Sequence, residues 1–304
     1  MISNNKLLFL ANGLLFLVAI TNGYPCQGAP NEERPLVFGS TKSALSQHTN
    51  EREAVSALTS LIEHEMPAAL GFPMKMRFFD SNREMYQKVA SKQVDMGCGH
   101  LVEFLEQYKH KRVKPIIWFY QEGKNGDRYC FVLRKGSPYK SPEQLRGLVF
   151  GYNDYQDLAK VKYIFYPHNP NFKAETYFAK TIYYPTSKDA LASLVKSRRT
   201  EVIFNSLYSV MVATRQKNLE GKFDFIINDE VMADLPIFIR ANLEADKAIK
   251  AEEVKKYFMN MHKAPKTLVI LNLLGCDEAR EVGEEQEKRY QEWINKYTAY
   301  GLIK

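Results

Sequence analysis

From Pro35 onward, short apolar runs alternate with segments of helical periodicity, and the alternation breaks once, near mid-chain, at YCFVLRKGSPYKSPEQLRG (129–147). Short strands separated by helices of ten residues or more build βαβ units and a mostly parallel sheet. The break constrains the fold further. An apolar run ends at Arg134 and Lys135, and the chain turns at Gly136-Ser137-Pro138. Ser141, Pro142 and Gln144 then provide cap, first helical residue and capping-box partner for a very short helix that Gly147 stops. LVFGYN (148–153) restarts the alternation, so the chain reads as two α/β series.

In the first series the expected strands are PLVFGS (35–40), MKMRFF (74–79), VDMGCG (94–99) and KPIIWFY (114–120). Asn50 with Glu53 and Ser81 with Glu84 read as capping boxes, and a further helix is expected from about His100 to His110. DRYCFVLRKGS opens the second series, with Gly126-Asp127 as its turn. A helix over 155–165, strands at TIYYPTS (181–187) and EVIFNS (201–206), and a helix to about Lys217 follow. FDFII and PIFIRANL (236–243) read as strands again, and the last sixty residues as helical. This order predicts two lobes joined by a hinge of crossing strands: 24–125 in lobe 1, 126–227 in lobe 2, and 228–304 returning to lobe 1 with C-terminal helices.

At 304 residues the chain exceeds one ordinary core, and 45% hydrophobic with 25% charged residues is a globular composition. The net charge of +7 is scattered, with KHKR (109–112) its densest cluster, and no nucleic-acid module is present, so nucleic acid is not an expected partner. Leu7–Ile20 is too short to span a bilayer comfortably and suits the apolar core of a signal peptide over 1–23, with cleavage before Tyr24 and export to the periplasm. A retained anchor is the alternative. GYPC lacks the small residues that lipid attachment to Cys26 wants. Cys26, Cys98, Cys130 and Cys276 allow three pairings and match no zinc spacing; Cys98 and Cys130 lie in apolar runs and read as buried free thiols. No cofactor or metal site is expected.

The ordered set LVFGS, MYQKVASKQVDMGCG, YCFVLRKGSPYKSPEQLRGLVFGYND and SKDALASLVKSRRTEVIFNS resembles the type II periplasmic solute-binding fold. Over roughly 35–300 it is most similar to the phosphate/phosphite/phosphonate-type substrate-binding proteins of ABC importers. The resemblance implies a monomer that captures a small solute in an interlobe cleft and presents it to a permease. It also implies a Ser-rich turn after the strand at 148–153 that cradles an oxyanion on amides and hydroxyls. This chain has NDYQDLAK there. If Asp154 and Asp157 point into the cleft they repel an oxyanion and favour a neutral or cationic solute; if they point outward they are helix-start residues.

Ligands of such sheets lie beyond strand carboxyl ends. That rule selects Ser40, Thr41 and Ser43, then Asp80 and Ser81, then Gly99 and His100 in the first series. In the second it selects Asn153, Asp154 and Tyr155, then Thr186 and Ser187, then Asn205 and Ser206. Tyr120 and Tyr129 flank the crossing and could wall the cleft. Helix capping is the competing role, favoured for Ser81 and Ser187. Two other functions fit the same fold: a periplasmic sensor without transport, and an enzyme of the thiamine-precursor kind using Cys98 and His100. No nucleophile elbow, H-E-x-x-H or phosphate loop is present.

Overall fold

The computed structural model describes residues 34–41, 51–120, 128–153, 155–216, 218–228, 236–246, 251–273 and 276–304. The expected signal segment, Asn50, and the turn at Gly126-Asp127 lie outside them. The first series comprises β1 (Leu36–Thr41), α1 (Glu51–Ser60), α2 (Met66–Leu70), β2 (Met74–Phe79), α3 (Asn82–Ala90), β3 (Met96–Cys98), α4 (Leu101–Lys109) and β4 (Val113–Tyr120). The second comprises β5 (Tyr129–Arg134), β6 (Val149–Tyr152), α5 (Tyr155–Phe165), α6 (Ala174–Tyr177), β7 (Lys180–Tyr183), α7 (Ser187–Ala192), β8 (Val202–Ser206), α8 (Leu207–Gln216) and β9 (Phe223–Ile227). The chain then forms β10 (Ile237–Arg240), α9 (Leu243–Asp246), α10 (Ala251–Met259), α11 (Pro265–Leu273), β11 (Glu278–Glu281) and α12 (Glu284–Ala299).

Among the described residues these strands form two sheets, ordered β11-β4-β10-β3-β1-β2 and β7-β6-β8-β5-β9. β1 runs parallel to β2 and β3, and β6 parallel to β7 and β8, as βαβ units require. The sheets are more mixed than alternation alone predicts, because β10 enters antiparallel between β3 and β4, and β5 runs antiparallel to β8 and β9. The cause is the crossing itself. A strand arriving from the other sheet enters at the edge from which the chain left, and so runs against its neighbours. Ile237 at the start of β10 pairs with Ile117 in the second half of β4, and Cys130 at the start of β5 pairs with Ile227 at the end of β9. Both passages between the sheets therefore begin and end side by side.

β11 corrects the expectation of an all-helical C-terminal region. Glu278–Glu281 pairs antiparallel with Ile117–Tyr120. Its sequence, EARE, has no apolar alternation, and the free edge of β4 imposes the strand.

The interrupted stretch forms as its residues dictate. Ser141 and Gln144 make the reciprocal capping box on a 3₁₀ turn, Pro142–Leu145, and Gly147 closes it at φ +80°, a conformation favourable to glycine. Gly97 answers a different need. A Cβ there would sit 2.3 Å from the Gly39 carbonyl oxygen, so β3 approaches β1 only because position 97 has no side chain. Core residues of both series meet in one aromatic-rich cluster that includes Phe79, Tyr86, Phe104, Phe131, Phe204 and Tyr290. Within it α12 reaches both halves. Tyr290 packs edge-on to Phe104 at 5.3 Å, while Tyr297 stacks on Tyr163 at 4.9 Å and Tyr300 on Tyr166 at 4.0 Å.

Candidate functional site

The carboxyl ends of parallel neighbours share one edge of a sheet, which brings the polar residues that terminate them together. In the first sheet Ser40 and Thr41 end β1, and Gly99 and His100 follow β3; all four are buried. Ser40 Oγ and Cys98 Sγ share a hydrogen bond at 3.3 Å. His100, 4% exposed, is the first residue before α4, and its backbone N–H donates to Asn82 Oδ1 at 3.2 Å. Tyr86 lies one helical turn after Asn82. A Cβ on Gly99 would meet the ends of three α3 side chains, Met85 Cε and Tyr86 Oη at 2.8 Å and Asn82 Oδ1 at 2.9 Å, so α3 packs closely on the strand end. Burial, then the charges of Glu103 and Cys98, push the Tyr86 hydroxyl well above the usual phenol range. Burial pushes the Cys98 thiol up to about 11, against the opposing pull of the Ser40 hydrogen bond.

In the second sheet, one hydrogen-bonded chain crosses the ends of β6 and β8. Asp157 Oδ2 accepts from the Asn153 backbone N–H at 3.2 Å. Asn153 Oδ1 accepts from Asn205 Nδ2 at 3.0 Å, and Asn205 Oδ1 accepts from the Ser206 N–H at 2.8 Å. Ser206 Oγ then caps α8, accepting from the Ser209 N–H at 3.1 Å and donating to Ser209 Oγ at 3.0 Å. Asn205 is 3% and Asp157 5% exposed, so these bonds replace water rather than compete with it. Beneath them Lys160, 1% exposed, places its ammonium on the Tyr129 hydroxyl and 3.7 Å from the centre of that ring.

The remaining expected positions behave differently. Ser81 and Asp80 are exposed, and Ser81 is the cap of α3, accepting from the Glu84 N–H at 3.2 Å. Before α7 the cap is Thr186, bonded to the Asp189 N–H at 3.2 Å, and not Ser187, whose buried Oγ has no hydrogen-bond partner. Ser43 and Asp154 lie outside the described residues, as do the side chains of Tyr120 and Tyr155. The strand-end rule does not select Asn82 and Tyr86, which lie on α3 beside Gly99. Their i, i+4 spacing puts them on one helix face, which is the signal that finds them.

Cys98, Cys130 and Cys276 form no disulfide; Cys130 is buried as expected, whereas Cys98, at the open end of its strand, is only partly buried. No described helix is long and apolar enough to cross a membrane, and no group of three metal-binding side chains occurs among the described residues.

A comparison with curated protein sequences finds no significant match. Among solved structures, the fold is similar to PhnD1 from Prochlorococcus marinus in complex with methylphosphonate, with TM-score 0.66, 15% identity, and 88% of this chain and 98% of that chain covered. A Xanthomonas citri protein bound to ATP aligns at TM-score 0.65 and 14% identity with the same coverage. A binding protein component of an ABC phosphonate transporter from Pseudomonas aeruginosa aligns at 0.63 and 14%, covering 88% and 89%. These likenesses carry the fold, a two-lobe type II periplasmic binding protein. The family model described as "ABC transporter, phosphonate, periplasmic substrate-binding protein" matches residues 46–286, most of the chain, and it is to this family of periplasmic substrate-binding proteins for ABC importers that the chain belongs.

Proposed function

We propose that this chain captures a small neutral or cationic solute between the facing carboxyl edges of its two sheets and delivers it to an ABC permease as a monomer. Ser40, Thr41 and His100 line the first lobe's face of the cleft, and Asn153, Asn205 and Ser206 line the second. Ser187, with its buried unpartnered hydroxyl, joins the second face.

One observation carries the charge preference: Asp157 Oδ2 already accepts from the Asn153 N–H at 3.2 Å. The amide at this helix start, where an incoming oxyanion would find a donor, is engaged by a carboxylate of the chain itself. A second anion about 4 Å from that carboxylate costs on the order of 4 kcal/mol at an effective dielectric near 20, roughly a thousandfold in affinity. The Lys160 ammonium contacts the Tyr129 hydroxyl and stands over that ring.

The chain acts by binding alone. A thiol held at about 11 and hydrogen-bonded to Ser40 is a poor nucleophile at neutral pH, which disfavours an enzyme built on Cys98. The exported form begins near Tyr24, and mass analysis of periplasmic protein tests this; a product retaining Leu7–Ile20 would contradict it.

Isothermal titration of the native, ligand-stripped protein with phosphate, methylphosphonate and 2-aminoethylphosphonate decides the solute class. Weak or absent binding of all three is expected, and mass spectrometry of solute retained through purification identifies the occupant. Submicromolar binding of any of the three overturns the charge preference while leaving the cleft assignment intact.

A further inference from the structure

We propose a second small-molecule site, separate from the solute cleft, that takes an apolar α-amino acid between the second sheet's outer helix and the C-terminal end of α12. The site is a cavity of about 320 Å³, at the small end of the range for ligand pockets. Its floor is apolar. Phe131 of β5 and Tyr163 of α5 are buried there, and Tyr300 closes the side contributed by the chain end. Ile227, at the end of β9, lines the cavity and remains 39% exposed, an apolar surface that an apolar side chain of a ligand would cover.

The rim is polar and carries both signs of charge. Lys296 stands on α12, and Glu143 stands on the 3₁₀ turn with His168 facing it. The Ser141 hydrogen bond and the nearby His168 hold the Glu143 carboxyl below the usual carboxylate range, so it is ionised at neutral pH. A simple organic anion would meet Glu143 and a simple amine would meet Lys296, each unfavourable. A zwitterion meets opposite charge on both sides, with its carboxylate toward Lys296, whose ammonium stands 5.7 Å from the centre of the Tyr163 ring, and its ammonium toward Glu143. The apolar floor then selects a side chain such as an aromatic ring.

The site touches a helix that also packs on the first lobe through Tyr290 and Phe104, so an occupant braces α12 against the second lobe. Trp293 lies one turn before Lys296 on α12 and provides an intrinsic reporter.

The test is titration of the full exported protein with L-phenylalanine, phenylacetate and phenethylamine, followed by Trp fluorescence and saturation-transfer NMR. Phenylalanine is expected to bind with a dissociation constant of about 1 mM or tighter, a modest value for twelve heavy atoms. Both single-charge analogues should bind about tenfold more weakly, the worth of one charge-assisted hydrogen bond. Lys296→Met should reduce phenylalanine to the level of the amine, and Glu143→Gln to the level of the acid. Both residues are exposed, so neither substitution threatens folding. Absence of saturable phenylalanine binding, equal binding of all three probes, or indifference to both substitutions overturns the proposal. None of these outcomes bears on the solute cleft, which involves neither residue.

Discussion

The side-chain amide of Asn205 donates to Asn153 Oδ1 at 3.0 Å and thereby fastens the carboxyl end of β8 to that of β6. The same Asn205 accepts from the Ser206 N–H through its Oδ1. Two groups thus depend on one buried side chain. Asn205→Ala should cost about 1–3 kcal/mol of stability, because it strands a buried donor. Asn153→Ala, at a partly exposed position, should cost less. Urea denaturation checks the order, and equal midpoints for wild type and Asn205→Ala would show that the bonds are not formed in solution.

Asp157→Asn preserves an acceptor for the Asn153 N–H and removes the charge. If the carboxylate is what excludes oxyanions, methylphosphonate affinity should rise by about tenfold or more, since relieving about 1.4 kcal/mol, roughly a third of a repulsion of about 4 kcal/mol at 4 Å, reaches that size. Titration calorimetry of wild type and variant reads the change. Unchanged affinity would place the carboxylate away from the solute.

Cys98 makes the fold sensitive to alkali. Its thiol is raised from 9.0 to about 11, so the unfolded chain loses this proton first as pH rises. The contribution is present in full below about pH 9 and is lost progressively between 9 and 11, because there the unfolded state binds fewer protons than the folded state. Thermal melts across that interval should show falling stability, and Cys98→Ser should flatten the decline. Native Cys98 should also react with iodoacetamide more slowly at pH 8 than it does in the unfolded chain, because its raised pKa leaves little thiolate; equal rates would contradict the shift.

Gly97→Ala should prevent β1 and β3 from pairing, because its methyl would lie 2.3 Å from a backbone oxygen that cannot swing aside. A loss of about 3 kcal/mol or more, or insoluble protein, is expected. Gly283→Ala is the control: its φ is −95° and nothing stands within 4 Å of the new methyl, so its effect should stay within about 0.5 kcal/mol. Similar soluble yields and melting temperatures for the two would refute the close approach.

Local chemistry made much of the fold legible. Ser141, Pro142, Gln144 and Gly147 specify a one-turn helix through capping and backbone preference, which act within a few residues. Val55, Leu58, Leu61 and Ile62 mark a buried stripe by spacing alone, and the structure buries Leu58, Leu61 and Ile62. The polar residues at strand ends were equally legible, since a strand's end and the cap of the next helix fall together in sequence. Which of those residues cap and which face inward was not. Ser81 and Thr186 turned back onto their own helices, whereas Ser187 did not.

The sequence by itself determined the element types outside 278–281, the break at 129–147 and the residues that end each parallel strand, because these follow from periodicity and short-range hydrogen bonding. Only the tertiary structure decided that β10 inserts between β3 and β4, that the charged segment 278–281 becomes an edge strand, and that Asp157 reaches Asn153 while Asn205 reaches across to the same residue. A period of two fixes which face a residue takes but not which strand lies beside it. Strand order is settled by the chain's passage between two sheets, and the partners of a buried polar group by whichever donors that passage brings within about 3 Å.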